Sequence, residues 1–120
     1  MSIRTIIGNL AADPEAVTAG KATLAKFTVV EHTGEYRKGE FVADDTATSH
    51  YVEAWFGLGQ NVLASLVEGT RVVVVGAEHT ESYGKDGQPV YRRILKATSV
   101  APDLAYARAT VTPVPRENSN

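Results

Sequence analysis

The 120-residue chain holds residue types that can do chemistry, but not at the spacings that make or break bonds. His32, His50 and His79 stand singly, without the HExxH spacing that sets two imidazoles and a base on one helix face. Asp44-Asp45 is an adjacent acidic pair in a polar stretch, the ordinary form of a solvated loop. "GLG", residues 57–59, lacks the rest of a dinucleotide fingerprint and opens no βαβ unit. No lysine follows a glycine loop of Walker length, and no serine sits in a nucleophile elbow. The absence of cysteine excludes disulfides, thiolate zinc sites and cysteine catalysis. The expectation is a chain that is not an enzyme, with no metal and no cofactor.

What the chain does offer is flat aromatic surface beside cations. In "HYVEAWF", residues 50–56, period-2 alternation puts Tyr51, Glu53 and Trp55 on one strand face. His50, Val52, Ala54 and Phe56 fall on the other, which makes Phe56 the bulky core candidate. Trp55, the single tryptophan, either fills a core or offers a platform to a planar ligand. Tyr36, Tyr83 and Tyr91 are further aromatics with the same two readings. Arg37 and Lys38 follow Tyr36. Arg92 and Arg93 follow Tyr91, and as strand neighbours they must point to opposite faces, so only one can join a given groove. Arg4, Lys85 and Lys96 complete the candidate cations. Among these residues the spacing implies binding rather than reaction.

The elements that must position them follow from pattern. Residues 3–10, rich in Ile and Thr, read as a strand with a bend at Gly8-Asn9. Asp13-Pro14 and Gly20 punctuate a loop. Residues 22–31 form a second strand, 32–49 a long polar loop, and 50–56 a third strand. Leu58, Val62, Leu63, Leu66 and Val67 then recur at helical spacing, and Gly69 reads as the glycine that ends the helix. A fourth strand carries the valines at 72–75, apolar enough to be covered on both faces. Asp86-Gly87 is a hairpin signal leading to a fifth strand at 90–100. Three strands, a helix and a final hairpin match an all-β, five-stranded OB barrel with its helix between strands three and four. A different small β-barrel with a lid helix fits the same order. Residues 1–105 are expected to form the domain and 106–120 a short flexible tail.

Bulk properties narrow the class further. Hydrophobic content is 43%, net charge is −2 and the pI is about 5.9. Charge alone would not hold such a chain to nucleic acid, so any such role needs local cations and stacking. No apolar run approaches the roughly 18 residues of a membrane span. The first ten residues lack a signal-peptide pattern, and a cytoplasmic location is expected.

Four segments resemble the bacterial single-stranded DNA-binding proteins: "IIGNLAADPE" at 6–15, "KFTVVE" at 26–31, "QNVLASLVEGTRVVVVG" at 60–76 and "YGKDGQPVYR" at 83–92. They occur in the family's order and spacing over residues 3–104. The resemblance implies an OB-fold module that binds single-stranded DNA without catalysis, usually as a homotetramer, with a dimer the second form. It implies roles in replication, recombination and repair. It puts Trp55 and Tyr83 on the family's base-stacking positions, Tyr36 near a third, and Tyr91 on the aromatic of the returning strand. Tyr51 joins Trp55 by parity. Arg4, Arg37, Lys38, Lys85, Arg92 and Arg93 are the expected phosphate contacts.

Two departures qualify that expectation. The family often places Arg or Lys between positions 76 and 83, where this chain has "AEHTES", and Glu53 shares the face of Trp55. Binding weaker and more dependent on stacking is expected, unless Glu53 pairs with Arg92 or Arg93. The chain also closes on "VPRENSN" rather than an acidic tip with a terminal Phe. That fits a truncated form or a short paralogue, and recruitment of repair proteins through such a tip is not expected. An OB-fold primosome-type accessory protein with weak nucleic-acid binding is the alternative function, and RNA is an alternative ligand.

Overall fold

The computed structural model describes residues 2–84 and 87–116, with backbone alone at 33–35 and 43–46. Among the described residues, six strands and one helix run in the order β1 (Ser2–Leu10), β2 (Glu15–Ala19), β3 (Ala22–Arg37), β4 (Glu40–Trp55), α1 (Phe56–Ser65), β5 (Arg71–Tyr83) and β6 (Val90–Pro102). The sheet order is β1-β5-β6-β4-β3-β2, and a further pairing joins β1 to β3. Five strands therefore close into the expected OB-fold ring, with β4 and β6 parallel and β2 added outside. The expected five strands are β1, β3, β4, β5 and β6.

Closure depends on the predicted bend in β1. That strand pairs with β5 from Ser2 to Asn9, and with β3 at Asn9 and Leu10. At Gly8 a Cβ atom would press into the carbonyl oxygen of Val30, so the crossing requires glycine. Asn9 Nδ2 donates to the Gly69 carbonyl at 3.0 Å, and the Glu68 amide donates to Asp13 Oδ1 at 2.7 Å. The Gly69 amide donates to Leu10 O. The residues of "GNLAADPE" thus tie the end of β1 to the turn before β5.

Alternation fills the interior. Ile6, Leu10, Phe27, Val29, Val52, Val72, Val74 and Leu95 are buried in one cluster. Burying a side chain of this size contributes about 1.5–3 kcal/mol. The helix lies against β3, β4 and β6, and it seats Val62, and Leu66 just after it, in the same cluster. Its stability comes from that packing, since its N-cap, Trp55, makes no side-chain capping bond.

Several expectations are corrected. Residues 32–49 are not a loop but the outer arms of β3 and β4, paired through Arg37 and Glu40. Lys38 and Gly39, both at positive φ, make the two-residue turn. The arms satisfy their backbone bonds across the ribbon, so they need no apolar alternation. β2 occupies part of the expected loop after β1. The helix ends at Ser65, where Leu66 turns extended, so Gly69 (φ +87°) serves the following turn instead. Phe56 is not a core residue: it is 59% exposed, at φ +56°. The valines at 72–75 alternate, with Val72 and Val74 fully buried and Val73 and Val75 half-buried. Asp86 lies outside the described residues, but the strands it was expected to join do pair, Tyr83 opposite Val90.

Gly8→Ala should lower stability by about 1–3 kcal/mol, the usual range for overpacking a closed site. The check is the urea midpoint at unchanged m-value.

Candidate nucleic-acid interface

Residues directly paired across strands share a sheet face. On the outer face of the ring, Tyr51 is paired with Thr28 and Ile94, Glu53 with Lys26 and Lys96, and Trp55 with Leu24. From the β5–β6 hairpin, Glu81 pairs with Arg92. Leu24 and Ile94 are buried yet stand outside the inner core cluster, so this outer face carries apolar side chains among its rings.

Three of the expected residues converge. The Arg92 guanidinium lies 4.3 Å from the ring centroid of Tyr51 and 5.5 Å from that of Tyr83. Both are cation–π distances. Lys96 Nζ lies 5.6 Å from the Trp55 ring. Trp55 is half-buried, and its Nε1 is enclosed with no hydrogen-bond partner among the described residues. Its ring also meets Phe56 at 6.1 Å between centroids.

The β5 edge is acidic but internally engaged. Glu81 accepts from Tyr83 OH at 2.8 Å and lies 3.0 Å from His79 Nε2. The bond to His79, then that to Tyr83, lowers the Glu81 pKa below the ordinary carboxylate value. The same bond raises the Tyr83 pKa. A carboxylate shifted this way stabilises the fold above its unfolded pKa, and loses that contribution as pH falls through the lowered value. Glu53 pairs with Lys26 of β3 at 3.8 Å rather than with Arg92 or Arg93.

The other expected residues lie elsewhere. Arg93 points to the opposite face, 3.9 Å from Glu78, which also pairs with Arg4 at 3.4 Å. Tyr91 shares that opposite parity and is exposed. Tyr36, 77% exposed, meets Phe41 edge-on at 5.4 Å out on the β3–β4 ribbon, and Arg37 and Lys38 sit at its tip. Lys85 lies outside the described residues. Sequence reasoning missed Lys26, Phe56 and Glu81 as members of this surface. The Lys26–Glu53 pair needed the β3–β4 register, which single-strand parity does not supply.

The single-strand binding protein family matches residues 1–102. A single-stranded DNA-binding protein of Paenarthrobacter aurescens is 33% identical over 119 residues, covering 96% of this chain and 69% of its own length. One from Bifidobacterium longum is 34% identical over 115 residues, covering 92% and 52%. The chain thus spans between about half and just over two-thirds of those relatives. Among solved structures, the small single-stranded DNA-binding protein of Streptomyces coelicolor shares the fold at TM-score 0.77 and 21% identity, over 88% of this chain and 97% of that one. The second single-stranded DNA-binding protein of Mycobacterium smegmatis superposes at TM-score 0.74 with 29% identity, over 97% and 100%. By this match along nearly all of its sheet, and by relatives a third identical across most of its length, the chain belongs to the single-strand binding protein family.

Proposed function

We propose that this protein binds single-stranded DNA without strong sequence dependence, as a stacking surface rather than a catalyst. The supporting observation is the gathering of Tyr51, Tyr83 and Arg92, with Trp55 and Lys96 beside them, on one outer sheet face. A flat ring stacks on any base, at about 1–3 kcal/mol per base. A guanidinium already held among rings is placed to exchange that contact for a phosphate. The remaining described contacts, Tyr36, Arg37, Lys38, Arg4, Tyr91 and Arg93, are peripheral in this reading or belong to a longer path for the strand. The relatives share the name single-stranded DNA-binding protein, which favours this role over an accessory protein that touches DNA weakly. Its setting would be the cytoplasm, where replication, recombination and repair expose single strands.

The same sheet supports a homo-oligomer. Ile3 and Ile7 on β1 share the outer face with Val73 and Val75 on β5, through the pairs Ile7–Val73 and Thr5–Val75. Ile3 and Ile7 are exposed in the lone chain. A contiguous apolar sheet face of this kind marks an association surface. We assign it to contact between copies, a tetramer in the proposed form, which would bring several stacking faces to one strand.

Trp55→Ala should weaken binding of oligo(dT) by roughly the energy of one stack, about 1–3 kcal/mol. In the parent protein, oligo(dT) at low salt should quench the Trp55 emission, and unchanged emission at saturation would remove Trp55 from the interface. The salt dependence should be shallow. Among the described residues, Lys26, Arg92 and Lys96 are the cations on the face, and a slope of about −0.7 per contact predicts about −2 for log K against log salt. A titration series giving a slope twice as steep would show that the ribbon cations carry the affinity instead. Ile7→Glu should convert the oligomer to a species of smaller native mass, read by light scattering.

A further inference from the structure

Glu53 is the feature of this face that non-specific binding does not explain. Its residue is 8% exposed, yet it belongs to the outer face and lines a groove of about 290 Å³ with Lys26, Tyr51, Tyr83, Arg92 and Ile94. A carboxylate so placed is an acceptor without donors of its own. Lys26 stands 3.8 Å away and is itself half exposed, and among the described residues no hydrogen bond reaches the Glu53 oxygens. Those oxygens are not sealed off by the protein, so they open to the groove and are free to accept from a ligand. A strand arriving on the face would draw Lys26 toward phosphate and leave the carboxylate in need of a donor.

We infer that Glu53 accepts a hydrogen bond from the exocyclic amino group of a base held in this groove, and so makes the site favour amino-bearing bases over thymine. The inference rests on the single-stranded DNA reading above and adds a base preference to it. The chemistry is that of the Watson–Crick edge. Cytosine and adenine present an amino group, and guanine an amino group beside a ring N–H. Thymine and uracil present one ring N–H flanked by two carbonyl oxygens, which face a carboxylate with repulsion. Glu and Asp accepting from the cytosine amino group is an established mode of base reading. Tyr51 and Tyr83 flank the groove and can hold a base in plane, and unstacked single-stranded bases expose this edge. The same residue that weakens phosphate binding thereby becomes the one that selects.

The test compares short oligo(dC), oligo(dU) and oligo(dT) of equal length at neutral pH and fixed salt. Uracil differs from cytosine only along the pairing edge, so the dC–dU contrast is free of the thymine methyl. The expected result is dC tighter than dU by about tenfold or more, the scale of one hydrogen bond to a charged group. Glu53→Leu is close in size and offers no acceptor. It should bring that ratio to near one, by weakening oligo(dC) while oligo(dU) binding holds. Equal affinity for dC and dU in the parent protein, with both binding well, overturns the role of Glu53 and leaves the single-stranded DNA reading intact. A ratio unchanged in a folded Glu53→Leu protein does the same. No binding of any of the three overturns both.

Discussion

Ring closure between β1 and β3 is the constraint from which the rest of the molecule follows. Once the sheet returns on itself, each strand has an inside and an outside, and alternate residues are committed to one or the other. The inside takes Ile6, Val29, Val52, Val72 and Val74. The outside is then free to carry rings and charges. Closure rests on a small group of contacts: the unoccupied Cβ position of Gly8 against Val30, and the bonds from Asn9, Leu10 and Asp13 to the turn before β5. A slip of one residue along β1 would exchange Ile6 for Ile7 and present the core to water.

The outer face shows a second constraint, that its charges are mutually engaged before any ligand arrives. Arg92 lies over tyrosine rings, Lys96 over Trp55, Lys26 beside Glu53, and Glu81 between His79 and Tyr83. Apart from the pair to the largely buried Glu53, these exposed ion pairs and ring contacts are individually weak, in the range of about 0–1 kcal/mol. They are therefore exchangeable. A phosphate can take Arg92 or Lys96 at small cost, and the ring it uncovers becomes available to a base. The arrangement orders the aromatic side chains in the free protein, which lowers the entropy lost on binding.

How much of this is legible from sequence depends on how local the rule is. Parity in "HYVEAWF" places Tyr51, Glu53 and Trp55 together, and Val52 and Ala54 inside, because a strand fixes both faces within two residues. The same rule states that Arg92 and Arg93 part company, but not which one meets the rings. That required the β5–β6 register, which brings Arg92 opposite Glu81. The polar stretch 32–49 misleads because it forms a two-stranded ribbon whose described side chains, at 36–42 and 47–49, are exposed and leave no apolar pattern to betray it. Its partners are specified by backbone bonds, to which composition is blind. β2 is hidden for the same reason: a short strand laid against β3 outside the closed ring needs little apolar patterning.

Phe56 carries the most instructive failure. Strict alternation would send it inward after Ala54, and it would do so if the strand continued. The chain instead turns into α1 at this residue, through a left-handed backbone conformation that is rare for a bulky side chain. Such conformations cost on the order of 1–3 kcal/mol and persist only where the surroundings enforce them. Here the enforcing element is the helix, which must swing across the ring to bury Val62 and to deliver Leu66, the residue after its last turn, into the core. The turn rotates Phe56 out beside Trp55, so the core loses one aromatic ring and the surface gains one. These two buried aliphatic side chains offset both the strain and the lost ring. The junction thus couples the seal of the barrel to the aromatic surface beside it. Trp55 stays half-buried because it is at once the last residue of the strand and the cap of the helix, held in place from both sides.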